Sequence, residues 1–221
     1  MLSFGAFREV ETLVLLSNRD VTLGLLSENG LKVQTGIYGG LSMKLGLCRG
    51  KVTVEPHDFE WEITAQQTIT TLKKVLGTLI IDAQHIGSTS IKGICAKPII
   101  DIAIGVSDFR VMPEMIQRLE GNDFIYRGQD HPEQYLFVCG NNDVRTHHIH
   151  VVIYGSDEWN DYVNMRDYLN SHSEDAAKYS ALKESLAKQY SDDRGTYTAM
   201  KNDMIKEILA KAIDWRKEQS I

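Results

Sequence analysis

The stretch Pro98-Ile-Ile-Asp-Ile-Ala-Ile104 puts the hardest constraint on how this chain folds. It is nearly all apolar and rich in β-branched residues, so it reads as a buried strand. One carboxylate, Asp101, sits in its middle. A lone buried carboxylate is costly, so the fold has to give Asp101 a partner. The plain partner is a structural salt bridge or hydrogen bond, with Lys97 nearby in sequence. The chemically interesting partner is a divalent cation facing bound phosphates.

The residues ahead of this strand favour the second partner. In His85-Ile-Gly-Ser-Thr-Ser-Ile-Lys-Gly-Ile-Cys-Ala-Lys97, a strand runs into a turn of small polar residues and then a short helix-length span. Gly87 allows a ligand close to the backbone. Ser88, Thr89 and Ser90 add hydroxyls beside the N–H groups of a helix start, and the combination makes an anion cradle. Lys97 joins Gly87, Ser88, Thr89 and Ser90 as the phosphate-binding set, with His85 as an accessory. A Gly-Ser pair alone is equally an ordinary turn with an N-cap; Asp101 on the following strand is what lifts it.

A second cluster is Arg145-Thr-His-His-Ile-His-Val-Val152. Side chains alternate along a strand, so His148 and His150 share one face while Ile149 and Val151 take the other. Paired imidazoles suit a metal or a phosphate. The competing reading is a solvated polar face on an edge strand. Arg145 falls on the face opposite His148, so it serves elsewhere unless a bulge resets the register.

Around these motifs the chain organises simply. Residues 51–154 alternate short strands and helices. Val52–Val54 reads as a strand, and a helix runs from Trp61 to Leu76 and stops at Gly77. A strand runs from Leu79 toward Ile86, and Met112, Met115, Ile116 and Leu119 repeat at helical spacing. Phe124–Tyr126 and Tyr135–Val138 read as strands around a polar loop over 127–134, and Val144–Tyr154 as the next strand. After Gly155 the pattern is helical throughout. Most charges there read as solvated helix faces, with Arg166, Lys183 or Lys201 available to turn inward toward phosphates. Residues 1–50 hold Gly5, Gly24, Gly30, Gly36, Gly39, Gly40, Gly46 and Gly50, eight of 17 glycines, which break every element early. They read as an N-terminal extension of unknown role, ahead of a single domain over 51–221. Val10–Leu16 and Val21–Leu26 are its short elements.

Composition removes several classes. At 43% hydrophobic and 24% charged, the chain is neither disordered nor a coiled coil. The net charge of −6 argues against duplex nucleic acid as a partner, though it allows a local basic pocket for a small anion. Apolar runs are too short for a membrane span and no secretory signal is evident. Cys48, Cys95 and Cys139 are scattered and odd in number, which argues against a zinc site or disulfide framework and suits a reducing cytoplasm.

Together the segments at 85–102, 145–152 and 166–169, with 179–187, Tyr197 and Lys201, resemble the GrpB family from Lys51 to Leu209. The resemblance implies a nucleotidyltransferase fold: an α+β domain with a small mixed sheet flanked by helices and a C-terminal helical segment. In that fold Gly87 and Ser88 grip nucleotide phosphates and Asp101 is the first metal carboxylate. The sequence departs from an active transferase where a second carboxylate is expected, because Ala103 stands there. His148 and His150 occupy the strand that would carry a third.

Three functions follow. The first is transfer of a nucleotidyl group from an NTP to a small acceptor, with Asp101 holding Mg²⁺ or Mn²⁺ and His148 or His150 completing the site or acting as base. The second is a non-catalytic module that binds a nucleotide or phosphorylated metabolite on a degenerate transferase scaffold. The third is a hydrolase in which Asp101, His148 and His150 hold one ion that activates water.

Overall fold

The computed structural model describes Thr12–Leu16, Val21–Ser27, Gly30–Val33, and residues 45–219 apart from 142. The chain divides into two compact units, 1–42 and 43–221. The first holds strands β1 (Thr12–Leu16), β2 (Val21–Ser27) and β3 (Gly30–Val33), paired antiparallel in that order. Val10 and the glycines at 5, 36, 39 and 40 lie outside the described residues.

The second unit is a mixed α/β structure with one six-stranded sheet. Its elements, in chain order, are β4 (Leu47–Cys48), α1 (Glu60–Leu76), β5 (Asp82–Ile86), β6 (Ile100–Val106), α2 (Met112–Glu120), β7 (Ile125–His131), β8 (Gln134–Gly140) and β9 (Val144–Ile153). Four helices follow: α3 (Asp157–Ser171), α4 (Ser173–Gln189), α5 (Arg194–Met200) and α6 (Asn202–Glu218). The strand order is β5-β6-β9-β8-β7, with β4 pairing the first residues of β9. Only the β6–β9 pair is parallel.

The apolar run thus becomes β6, flanked on both sides, with β5 and β9 as its neighbours. Its two faces have different tasks. Ile100, Ile102, Ile104 and Val106 join Phe137, Ile149 and Val151 in a core covered by Trp61, Ala65, Ile69, Leu72 and Leu76 of α1 and by Met112, Met115 and Leu119 of α2. These helix residues recur at three- and four-residue spacing, which is why α1 and α2 form where the apolar periodicity places them. Asp101 and Ala103 face the other way, beside His148 and His150 of β9, with which they pair in register. That face is closed by the C-terminal helices. Trp159 packs on Ile86, Ala103 and Val152. Ile91 and Ile94 pack on Tyr168, Leu169, Tyr179 and Ile208, and Val52 packs on Leu186, Ala187 and Tyr197.

Four local expectations need correction. Val52–Val54 is not a strand: the Val52 N–H donates to Ser191 O at 2.7 Å, and only Glu55 forms an isolated bridge, to Ala96. Residues 77–79 make a 3₁₀ turn, and the strand starts at Asp82. The span 91–97 is a loop and not a helix, its Ile91 and Ile94 anchored by tertiary packing. The polar loop expected over 127–134 is mostly strand, because β7 and β8 form a hairpin closed by Pro132-Glu133. β7 is the sheet's edge, where polar side chains meet water and mask the strand pattern. Among the described residues no helix is long and apolar enough to cross a membrane, and Cys48, Cys95 and Cys139 are free thiols.

Candidate functional site

β5 ends at Ile86, and Gly87 follows with φ +69 and ψ −172, an extended left-handed conformation that glycine adopts without strain. Its second role is space. A Cβ at residue 87 would lie 2.6 Å from Asp101 Oδ2 and 2.9 Å from Asp101 Cβ. The bare glycine therefore lets the turn close over the carboxylate on the neighbouring strand. Ser88–Ser90 form a single 3₁₀ turn in place of the expected helix start. The Ser90 N–H and Oγ both bond to Gly87 O, at 3.2 and 2.6 Å, so Ser90 braces the turn instead of facing a ligand. Ser88 and Tyr179 both line one pocket.

Asp101 has the partners its burial demands, and Lys97 is not one of them. His148 Nδ1 lies 3.0 Å and His150 Nε2 3.5 Å from its Oδ1. Burial alone would raise the Asp101 carboxyl. The hydrogen bonds and charge of the two imidazoles win, and hold it well below the usual carboxylate range. One donor atom from each of the three residues lies within 4.8 Å of the others. Ala103, where a second carboxylate was expected, pairs with His150 in register, so an imidazole reaches Asp101 from that position.

These residues floor a pocket of about 270 Å³. Gly87, Ser88 and Thr89 form one rim, and Thr89 Oγ1 also bonds His85 Nε2 at 2.9 Å. The opposite wall is built by α4, α5 and the residue after α5. Lys183 of α4 is fully buried, with Nζ donating to Cys95 O and lying 4.5 Å from the Tyr179 ring centre. Lys97 and Lys201 lie 5.5 and 4.8 Å from the Tyr197 ring centre. Arg194 and Thr198 complete the wall, and Tyr162 of α3 closes the side beside His150.

The wall is crowded with like charge. Burial first, then Lys201 and Arg194, push the Lys97 ammonium down to about 8. Burial, with Lys201 and Lys97 adding to it, pushes Lys183 down to about 7. Burial also lowers Lys201, and Arg194 adds to that. Asp101 is the pocket's only carboxylate among the described residues. The pocket thus sets four basic side chains, Lys97, Lys183, Arg194 and Lys201, against one carboxylate.

Three residues proposed as accessories lie elsewhere. His85 pairs with Ile102, so it points to the α1 face, where burial pushes its imidazole down to about 4. Arg145 shares that face with His147: the register shift at Cys139–Gly140 places the extra residue in β9, at Thr146, yet burial still alternates residue by residue from 144 to 149. Arg145 Nη1 has no hydrogen-bond partner among the described residues. Arg166 ties α3 to the edge strand, donating to Gln84 Oε1 at 2.8 Å and His85 O at 3.1 Å. Conversely, Tyr162, Tyr179, Arg194, Tyr197 and Thr198 line the pocket without having been assigned to the site. Tyr179 and Tyr197 entered the sequence reading only as part of the family resemblance.

Fold and pocket together define a class: a mixed α/β domain whose sheet presents a carboxylate–histidine cluster to a cationic helical wall. The chain belongs to the GrpB family, whose model, "GrpB protein", matches residues 51–211. It is 35% identical over 170 residues to the glutamate-rich protein GrpB of Alkalihalophilus pseudofirmus, covering 75% of this chain and 98% of that one. It is also similar to the crystal structure of conserved protein GrpB from Enterococcus faecalis, with TM-score 0.70, 27% identity, and coverage of 74% of this chain and 99% of that one. The poly(U) polymerase Cid1 bound to MgATP aligns with 61% of this chain and 43% of its own, at TM-score 0.43 and 12% identity. A likeness that remote carries no argument about the site.

Proposed function

We propose that the pocket binds a nucleoside triphosphate with a divalent cation and transfers its nucleotidyl group to a small acceptor. The observation that supports this reading is the meeting of an Asp-His-His cluster and a lysine wall in one small cavity. The nucleotidyltransferase fold implied by the family resemblance suggests the reaction class.

Two imidazoles and one carboxylate suit a single ion such as Mn²⁺ or Zn²⁺ and do not suit a pair of Mg²⁺ ions, which needs more oxygen ligands. Asp101, His148 and His150 would hold that ion, which when bound supplies charge neutralisation and polarisation of a phosphoryl oxygen. The chain's own groups do the rest. Lys97, Lys183, Lys201 and Arg194 neutralise and orient the phosphates, and the Ser88 hydroxyl donates to their oxygens, while Thr89, its hydroxyl held by His85, braces the turn. Where only one of the two imidazoles ligates the ion, the other accepts the acceptor's proton at a ring nitrogen.

A second reading keeps the binding and drops the reaction. Ala103 in place of a second carboxylate favours it, since it removes a ligand on which two-metal chemistry depends. Calorimetric titration of each NTP, with and without Mn²⁺ or Mg²⁺, into wild type and Asp101→Asn tests both. Metal-dependent binding that is lost in the variant is the expected result, and its absence from the wild type removes nucleotides from consideration. Pyrophosphate release with a panel of acceptors then separates transferase from binding module.

A further inference from the structure

We propose that this pocket recognises the phosphate chain of its ligand and not a base, so that it binds the four nucleoside triphosphates and inorganic tripolyphosphate alike. The inference rests on the reading of the pocket as an anion site and narrows its ligand class.

Three observations carry it. The first concerns the rings. Sequence-tolerant base binding needs an open aromatic face for stacking. Tyr179 and Tyr197 are buried, at 3% and 1% exposure, and each has a cation over its ring: Lys183 on Tyr179, and Lys97 and Lys201 on Tyr197. The Tyr162 ring rests on His150, 5.3 Å between centres, and its hydroxyl donates to Gln134 Oε1 at 2.5 Å. His148 and His150 meet edge to face at 6.1 Å. Each aromatic ring lining the cavity is therefore already engaged.

The second observation is chemical. Reading a base edge calls for paired donors and acceptors, typically a side-chain amide. Among the described residues, the lining contains no Asn, Gln or Glu. It offers ammonium and guanidinium groups and hydroxyls, which suit phosphate oxygens.

The third is size. At about 270 Å³ the cavity falls below the roughly 300–1,000 Å³ of pockets that engulf a whole drug-sized ligand. Filled with phosphate, it leaves the sugar and base outside. Four cations against one carboxylate also favour a chain of several phosphates over a single one.

The test is calorimetry on the full chain with Mn²⁺ present, each titration corrected by a protein-free blank for ion chelation. The ligands are ATP, GTP, CTP, UTP, tripolyphosphate, pyrophosphate, orthophosphate and adenosine. The four NTPs and tripolyphosphate are expected to agree within about threefold in Kd, which is well under 1 kcal/mol of base discrimination. Affinity should fall from tripolyphosphate to pyrophosphate to orthophosphate, and adenosine should give no saturable heat. One NTP binding more than about tenfold tighter than tripolyphosphate overturns the proposal while leaving the anion site standing. Saturable adenosine binding does the same. If none of the phosphates binds, the anion-site reading itself falls.

Discussion

At Gly87 the constraint is steric and local. Any Cβ there collides with Asp101 on a backbone with φ +69, so Gly87→Ala must shift either the turn or the carboxylate. The expected cost is about 1–3 kcal/mol of stability, read by thermal unfolding, and at least about tenfold weaker anion binding, read by calorimetry. Lys183 makes a different prediction. Its folded value of about 7 lies below the ordinary 10.5. Between those limits the unfolded chain carries a proton that the folded chain lacks, so wild-type stability rises as pH rises from 7 toward 10.5. Lys183→Met removes that dependence. Relative to wild type, the variant should melt higher at pH 7 than at pH 10. It should also bind tripolyphosphate at least about tenfold more weakly at pH 7. In the wild type, anion affinity should decline above pH 7 as Lys183 loses its proton. A flat difference in melting temperature across that range would exclude the assigned shift.

At the scale of elements, the pocket joins two kinds of structure, and they were not equally legible. The sheet side is written locally. Gly87 to Thr89, Asp101, and the alternating His148 and His150 each declare themselves through spacing within a few residues, because strand alternation fixes which side chains share a face. The same alternation, already legible for Arg145 in the sequence, explains why His85 misses the pocket as well. The helical wall is tertiary. Nothing in the periodicity of α4 or α5 tells that Lys183, Arg194 and Tyr197 turn inward, because their neighbours come from the 91–97 loop and from Val52, far away in sequence. The hairpin of β7 and β8 was hidden by edge-strand polarity. The short helix α5 deserves its own test. Asp193 caps it, accepting from Thr196 N at 3.0 Å and from Thr196 Oγ1 at 2.6 Å. Asp193→Ala should cost about 1 kcal/mol and loosen the wall that holds Arg194 and Tyr197. Anion affinity should therefore drop although the substituted side chain does not line the pocket. Unchanged affinity alongside a lowered melting temperature would mean that α5 does not position the site.

For the whole molecule, the imidazoles on the covered face of the sheet govern acid stability. Burial pushes His85 and His147 down to about 4. Between pH 6.5 and 4 the unfolded chain takes up protons that the folded chain refuses, so stability falls as pH falls through that window. Each histidine contributes on the order of 3 kcal/mol across it, a large share of a domain's usual margin. Melting temperature should drop by about 10 °C between pH 7 and 5, and His147→Gln should recover part of that loss. A melting temperature constant over this range would rule out both buried neutral imidazoles. Chain order has a further consequence. The carboxylate and both histidines have all been made once residue 150 is in place, whereas the cationic wall is finished only at Lys201. At ribosomal speeds of about 5–20 residues per second, several seconds separate the two halves. A growing polypeptide thus owns its carboxylate, both imidazoles and Lys97 before it owns Lys183, Arg194 and Lys201.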